Sequence, residues 1–214
     1  METMIFDNLK KAILEYDSKA SAEWAQKAMD EKLDPVKVMD AMTEAIQIVG
    51  EGFGRDELFL PELVGAGEAM EAATPIIEAE LKRTGAKRES AGTVVLGTVF
   101  GDMHNIGKSM VATMLITNGF EVVDLGINVQ KNQFINAIKE HNADIVAMSA
   151  LLTTTVQEQK NVIEALKQEG LREKVKVMVG GGAISQEFAD KIGADGYAPS
   201  APGAAELARQ LLAN

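Results

Sequence analysis

The hydrophobic pattern of this chain changes period near residue 90, and that change restricts it to a small set of folds. Before it, apolar residues recur at helical spacing. Ile5, Leu9, Ile13 and Leu14 form one such stripe, which predicts an amphipathic helix. Ser21 to Met29 continues the pattern with Trp24, Ala25 and Ala28. Asp34-Pro35 pairs a capping acid with a proline at the first helical position, a helix start signal. The helix it opens carries Val38, Met42, Ala45, Ile46 and Val49 on one face and ends near Gly52 and Gly54. After Pro61 a fourth helix runs to about Arg83 with Leu63, Met70, Ile77 and Leu81, and Thr74-Pro75 marks a place for a kink. Residues 1–85 therefore predict an all-α domain, a small helical bundle. Residues 86–92 belong to a charged, glycine-containing stretch without periodicity and are expected to be a linker.

From residue 93 to 214 short β-branched runs alternate with helical stretches. The runs are TVVLGTV, FEVVDLG, DIVAMSA, VKVMVGG and ADGYA. Helices are expected over 105–118, 133–141, 155–169, 185–192 and 203–212. Near-continuous apolar strands alternating with helices predict a parallel five-stranded sheet covered on both faces, an α/β domain. In such sheets ligands bind outside the carboxyl ends of the strands. Three loops at those ends stand out. They are Gly101 to Gly107, Ser149 to Thr155, and Gly180-Gly181-Gly182-Ala183. A parallel sheet brings all three to one edge.

Composition excludes much of the chemistry open to such loops. There is no cysteine, so disulfides, thiolate metal sites and cysteine nucleophiles are ruled out. The two histidines, His104 and His141, are too few for a multi-histidine metal site. His141 falls at a helix end and is given no role. A net charge of −11 disfavours nucleic acid and anionic lipid as partners. No apolar run is long enough to span a membrane, and the first residues lack the pattern of a secretion signal. The cytoplasm is the expected location.

Asp102-x-His104-x-x-Gly107, followed after 41 residues by Ser149-x-Leu151 and then by Gly180-Gly181, resembles the signature of proteins that bind cobalamin with its own base displaced. Phe53 to Glu62 (FGRDELFLPE) is similar to the cap segment of methyl-transferring corrinoid domains. These include the cobalamin-binding region of methionine synthase and the corrinoid proteins of methanol, methylamine and methoxyaromatic metabolism. The resemblance covers nearly the whole chain. It implies a helical-bundle cap domain (1–85), a linker (86–92) and a Rossmann-like, flavodoxin-like cobalamin-binding domain (93–214).

The resemblance also implies roles. His104 is the axial protein ligand to cobalt, a fitting task for a neutral imidazole. Asp102 accepts a hydrogen bond from the other ring nitrogen and tunes it. Thr155 stands where methionine synthase has a serine linked to the same aspartate, giving a His104–Asp102–Thr155 relay coupled to ligand release. Met103, Asn105, Ile106 and Gly107 share the ligand loop. Ser149, Leu151 and Thr153 line the slot for the nucleotide tail. Gly180, Gly181 and Gly182 keep side chains out of it, although alone they read as a tight strand-to-helix turn. Tyr197, Ala198 and Ser200 close the slot. Phe53, Leu60 and Leu63 match an apolar roof over the corrin, although alone they read as bundle core.

The function so implied is a methyl carrier, cycling between cobalt(I) and methyl-cobalt(III) with methylcobalamin in turnover. It is a corrinoid subunit of a methyltransferase system and not a complete enzyme. The implied partners are a substrate-specific methyltransferase, a second methyltransferase that accepts the methyl group, and a reductive activator of cobalt(II). Two alternatives share parts of the pattern. The small subunit of an adenosylcobalamin-dependent mutase normally lacks the helical cap. A cobalamin-sensing regulator would carry a DNA-binding domain.

Overall fold

A computed structural model describes residues 2–85 and 90–213 of the chain. Most of the expected linker, residues 86–89, lies outside the described residues. The chain divides into two compact units, Met1–Glu89 and Ser90–Asn214.

The first unit consists of α1 (Glu2–Leu14), α2 (Ser18–Asp30), α3 (Pro35–Gly54) and α4 (Leu60–Thr84). Local capping sets several starts. Asp17 accepts from the Ala20 N–H at 2.9 Å, and Asp34 accepts from the Val36 N–H at 3.0 Å. Each satisfies one of the donors that a helix N-terminus leaves open. Glu62 reaches back to the Phe59 N–H at 3.0 Å and so fixes the start of α4. Helix α4 continues through Pro75. The Thr74 hydroxyl there donates to the Met70 carbonyl at 2.8 Å. Ile5, Leu9, Ile13, Val38, Met42, Ile46, Leu63 and Ile77 are fully buried, which is the stripe read from the helical periods.

The second unit follows β1 (Thr93–Thr98), α5 (Ile106–Thr117), β2 (Glu121–Asp124), α6 (Lys131–His141), β3 (Ile145–Ser149), α7 (Val156–Gln168), β4 (Lys176–Gly180), α8 (Gln186–Ile192), β5 (Gly196–Tyr197) and α9 (Ala201–Ala213). The strands form one sheet in the order β2-β1-β3-β4-β5, every pair parallel. Val95, Val146, Val177 and Val179 pack one sheet face against Phe134, Ile163 and Leu166. This is the parallel sheet with flanking helices that the alternating pattern predicted. The chain leaves β1 toward β2 and then crosses back to β3 on the other side. That reversal makes β1/β3 the switch point, where a crevice opens at the carboxyl ends of the strands. The loops after β1 and β3 are the two that carry Asp102, His104 and Thr155.

Candidate functional site

The ligand loop begins where β1 runs out of strand partners. The Thr98 N–H donates to the Gly126 carbonyl and the Val99 N–H to the Ser149 carbonyl, each at 3.0 Å. The chain then turns sharply at Gly101, whose φ of +80° is open to glycine at little cost. Asp102 follows with its side chain fully buried. Its Oδ1 accepts from His104 Nδ1 at 2.7 Å and from the His104 backbone N–H at 3.1 Å. Its Oδ2 accepts from the Leu151 N–H at 2.8 Å, the Leu152 N–H at 3.3 Å and the Thr155 hydroxyl at 2.7 Å. His104, Asp102 and Thr155 thus form one hydrogen-bonded chain across the β1/β3 crevice.

The electrostatics follow from that count. Burial alone would raise the Asp102 pKa. The bonds from the Thr155 hydroxyl, the Leu151 N–H and His104 outweigh it and hold the carboxyl well below the usual carboxylate range. Asp102 is therefore ionised and accepts only. The proton in the 2.7 Å contact belongs to His104 Nδ1, which leaves Nε2 as the lone-pair nitrogen. The His104 side chain is 50% exposed. An imidazole fixed in this tautomer and open at Nε2 is set up to ligate a metal from one side. Among the described residues no group of three or more His, Cys, Asp or Glu side chains could hold a bare metal ion. His104 thus offers a single ligand, which suits a metal already held by a macrocycle.

The surroundings fit a broad apolar ligand. Phe100, Met103, Ile106, Leu151 and Leu152 all expose their side chains on the loops at this edge. Asn105 and Gly107 are exposed beside them. Thr153 is exposed and Ser149 half-buried. The strand register sets Thr98, Ser149 and Gly180 side by side across three strands. A Cβ on Gly181 would fall 1.9 Å from the Ala150 carbonyl oxygen, and one on Gly182 would fall 2.7 Å from Leu151 Cδ1. In this structure the space those glycines leave is taken by the β3 loop. Tyr197 and Ala198 are half-buried at the end of β5, where the Ala198 N–H donates to the Val179 carbonyl at 3.3 Å. The Ser200 hydroxyl accepts from the Gly203 N–H at 3.2 Å and so caps α9.

In the helical unit, Phe53 is half-buried and Leu60 partly exposed, whereas Leu63 is fully buried in the bundle. Phe59, beside Leu60, is the more exposed side chain, and no sequence motif singles it out. Sequence reasoning also passes over Thr98, whose buried hydroxyl donates to the His104 carbonyl at 2.9 Å. A polar residue inside the apolar run TVVLGTV is the signal for it. Lys108, buried at the start of α5, pairs with Asp124 at the end of β2. The Asp124 carboxylate also accepts from the Gly126 N–H at 2.8 Å.

Comparisons with known proteins identify the family. The B12 binding domain model matches residues 92–206, and a second B12 binding domain model matches residues 5–78. A corrinoid protein of Desulfitobacterium hafniense is 44% identical over 210 residues, covering 97% of both chains. The trimethylamine corrinoid protein of Methanosarcina barkeri is 44% identical over 198 residues, covering 92% of this chain and 91% of its own. Among solved structures, the methanol:cobalamin methyltransferase complex MtaBC of Methanosarcina barkeri contains a chain that superposes with a TM-score of 0.82 at 29% identity. The match covers all of this chain and 81% of that one. The chain belongs to the family of B12-binding corrinoid proteins of methyltransferase systems, and its cofactor is a cobalamin.

Proposed function

We propose that this chain is the methyl carrier of such a system and holds cobalamin with its own base displaced and His104 Nε2 as the lower ligand. One observation carries the reading. The only imidazole on the β1/β3 crevice has Nδ1 bonded to a buried carboxylate at 2.7 Å and its opposite nitrogen open. When bound, cobalamin supplies a cobalt that accepts and gives up a methyl group.

The protein's own residues do the rest. Asp102 fixes the tautomer and the orientation of the ring. Thr155 and the Leu151 N–H keep that carboxylate ionised and in place. Phe100, Met103, Ile106, Leu151 and Leu152 keep water away from the face around His104. Ser149, Thr153 and Gly180 are assigned to the nucleotide tail, with Tyr197, Ala198 and Ser200 at its end, while Gly181 and Gly182 let the β3 loop pack beside it. By resemblance alone, Phe53, Leu60 and Leu63 of the helical unit are assigned to an apolar roof over the corrin. The names of its relatives point to a substrate-specific methyltransferase as donor. A second methyltransferase as acceptor and a reductive activator of the cobalt complete the cycle.

His104→Ala tests the reading. Full-length protein loaded with cobalamin and reduced to cobalt(II) is expected to show nitrogen splitting in its electron paramagnetic resonance spectrum, and the variant to lose it. A variant spectrum identical to wild type would overturn the assignment.

A further inference from the structure

We infer that Asn128 is a positioning residue for the cobalt ligand, clamping the backbone of the His104 loop from the neighbouring strand's loop. The inference rests on the reading of His104 as lower ligand. Asn128 lies after β2 with φ +55°, the left-handed region that asparagine tolerates better than most side chains. Its side-chain Oδ1 accepts from the Gly101 N–H at 2.8 Å. Its own N–H donates to the Asp102 carbonyl at 3.0 Å. One residue thus holds both ends of the Gly101–Asp102 segment. The next residue, Val129, donates its N–H to the Thr98 carbonyl at 2.9 Å and bridges to Val99, which anchors the clamp to the sheet.

A turn alone does not call for this side chain. Glycine would meet the same φ at lower cost, and Asn128 is exposed, so core packing does not select it either. What only the amide oxygen supplies is the bond to Gly101, 27 residues earlier in the chain. That bond acts on His104 indirectly. The Asp102 carboxylate reaches His104 Nδ1 only while its backbone stays where Asn128 holds it.

The test uses full-length protein. Asn128→Gly keeps the φ and removes the oxygen, and Asn128→Asp restores an acceptor in the same place. For N128G we expect a smaller nitrogen-split share in the cobalt(II) spectrum. Its cobalamin dissociation constant should weaken roughly three- to tenfold, the loss of about one hydrogen bond. Amide exchange at Gly101 in cofactor-free protein should speed up by a similar factor, and N128D should recover all three. The inference is overturned if N128G matches wild type in spectrum and affinity, or if N128D lies no closer to wild type than N128G does. His104→Ala separates the two levels. Loss of splitting in it beside a wild-type N128G sinks the Asn128 inference alone, whereas retained splitting sinks the ligand assignment and this inference with it.

Discussion

Asp102 is the residue on which the site turns, because hydrogen bonds alone keep its buried charge in place. Its folded pKa is depressed, so it contributes stability at pH values above its unfolded value of about 4. That contribution is lost as pH falls through the folded pKa. In urea unfolding of cofactor-free protein, wild type is expected to exceed Asp102→Asn most at neutral pH. The gap should narrow by up to about 1.4 kcal/mol per pH unit below about pH 4. An equal gap at pH 3 and pH 7 would contradict the ionisation assigned here. Thr98→Val removes the buried hydroxyl that holds the His104 carbonyl and is expected to cost about 1 kcal/mol in the same measurement. His104, Asp102 and Thr155 are readable in the sequence because motif and spacing name side chains. Thr98 shows only as a polar residue within an apolar run, and Asn128 not at all, because their partners are the His104 carbonyl and the Gly101 N–H, and a residue pattern does not name main-chain partners.

At the scale of elements, the turns separate glycines that the fold needs from glycines that a ligand needs. Gly181 has φ +120° and sits against the Ala150 backbone. Gly181→Ala is therefore expected to destabilise the cofactor-free protein by about 2 kcal/mol or more, read by chemical denaturation. Gly107 lies in the first turn of α5, and a Cβ placed on it would meet nothing within 4 Å. Gly107→Ala should leave stability unchanged or raise it by up to about 1 kcal/mol, yet weaken cobalamin binding. An unchanged dissociation constant would show that the ligand loop does not need glycine there. Helix and strand positions are legible in the sequence, since Asp34-Pro35 and the apolar strand runs are local signals. The role of Leu63 is not. A leucine on a helix stripe reads equally as roof and as core, and its full burial here is what either role leaves in the cofactor-free protein.

At the scale of the whole molecule, ligand binding and folding are one equilibrium. Free cobalamin at about 100 times its dissociation constant adds roughly 2.7 kcal/mol to the state that binds it. Thermal melts should therefore shift upward with cobalamin, and by less in His104→Ala. Equal shifts in both proteins would mean that His104 contributes nothing to holding the cofactor. The strand order β2-β1-β3-β4-β5 is implied by family resemblance and is not readable from periodicity. Alternation gives the strands in sequence, while their order in space follows from the handedness of crossovers and from which edges pair. That order brings two distant loops, and so three residues of one network, to a single crevice.

The five donors around Asp102 have a consequence of their own. They occupy both of its oxygens, so the carboxylate behind the His104 ring is tied to the backbone of two loops at once. If Nε2 is where the metal attaches, a pull on the ring is shared out as far as Leu151, Leu152 and Thr155. The metal then hangs from the sheet's edge and not from one side chain.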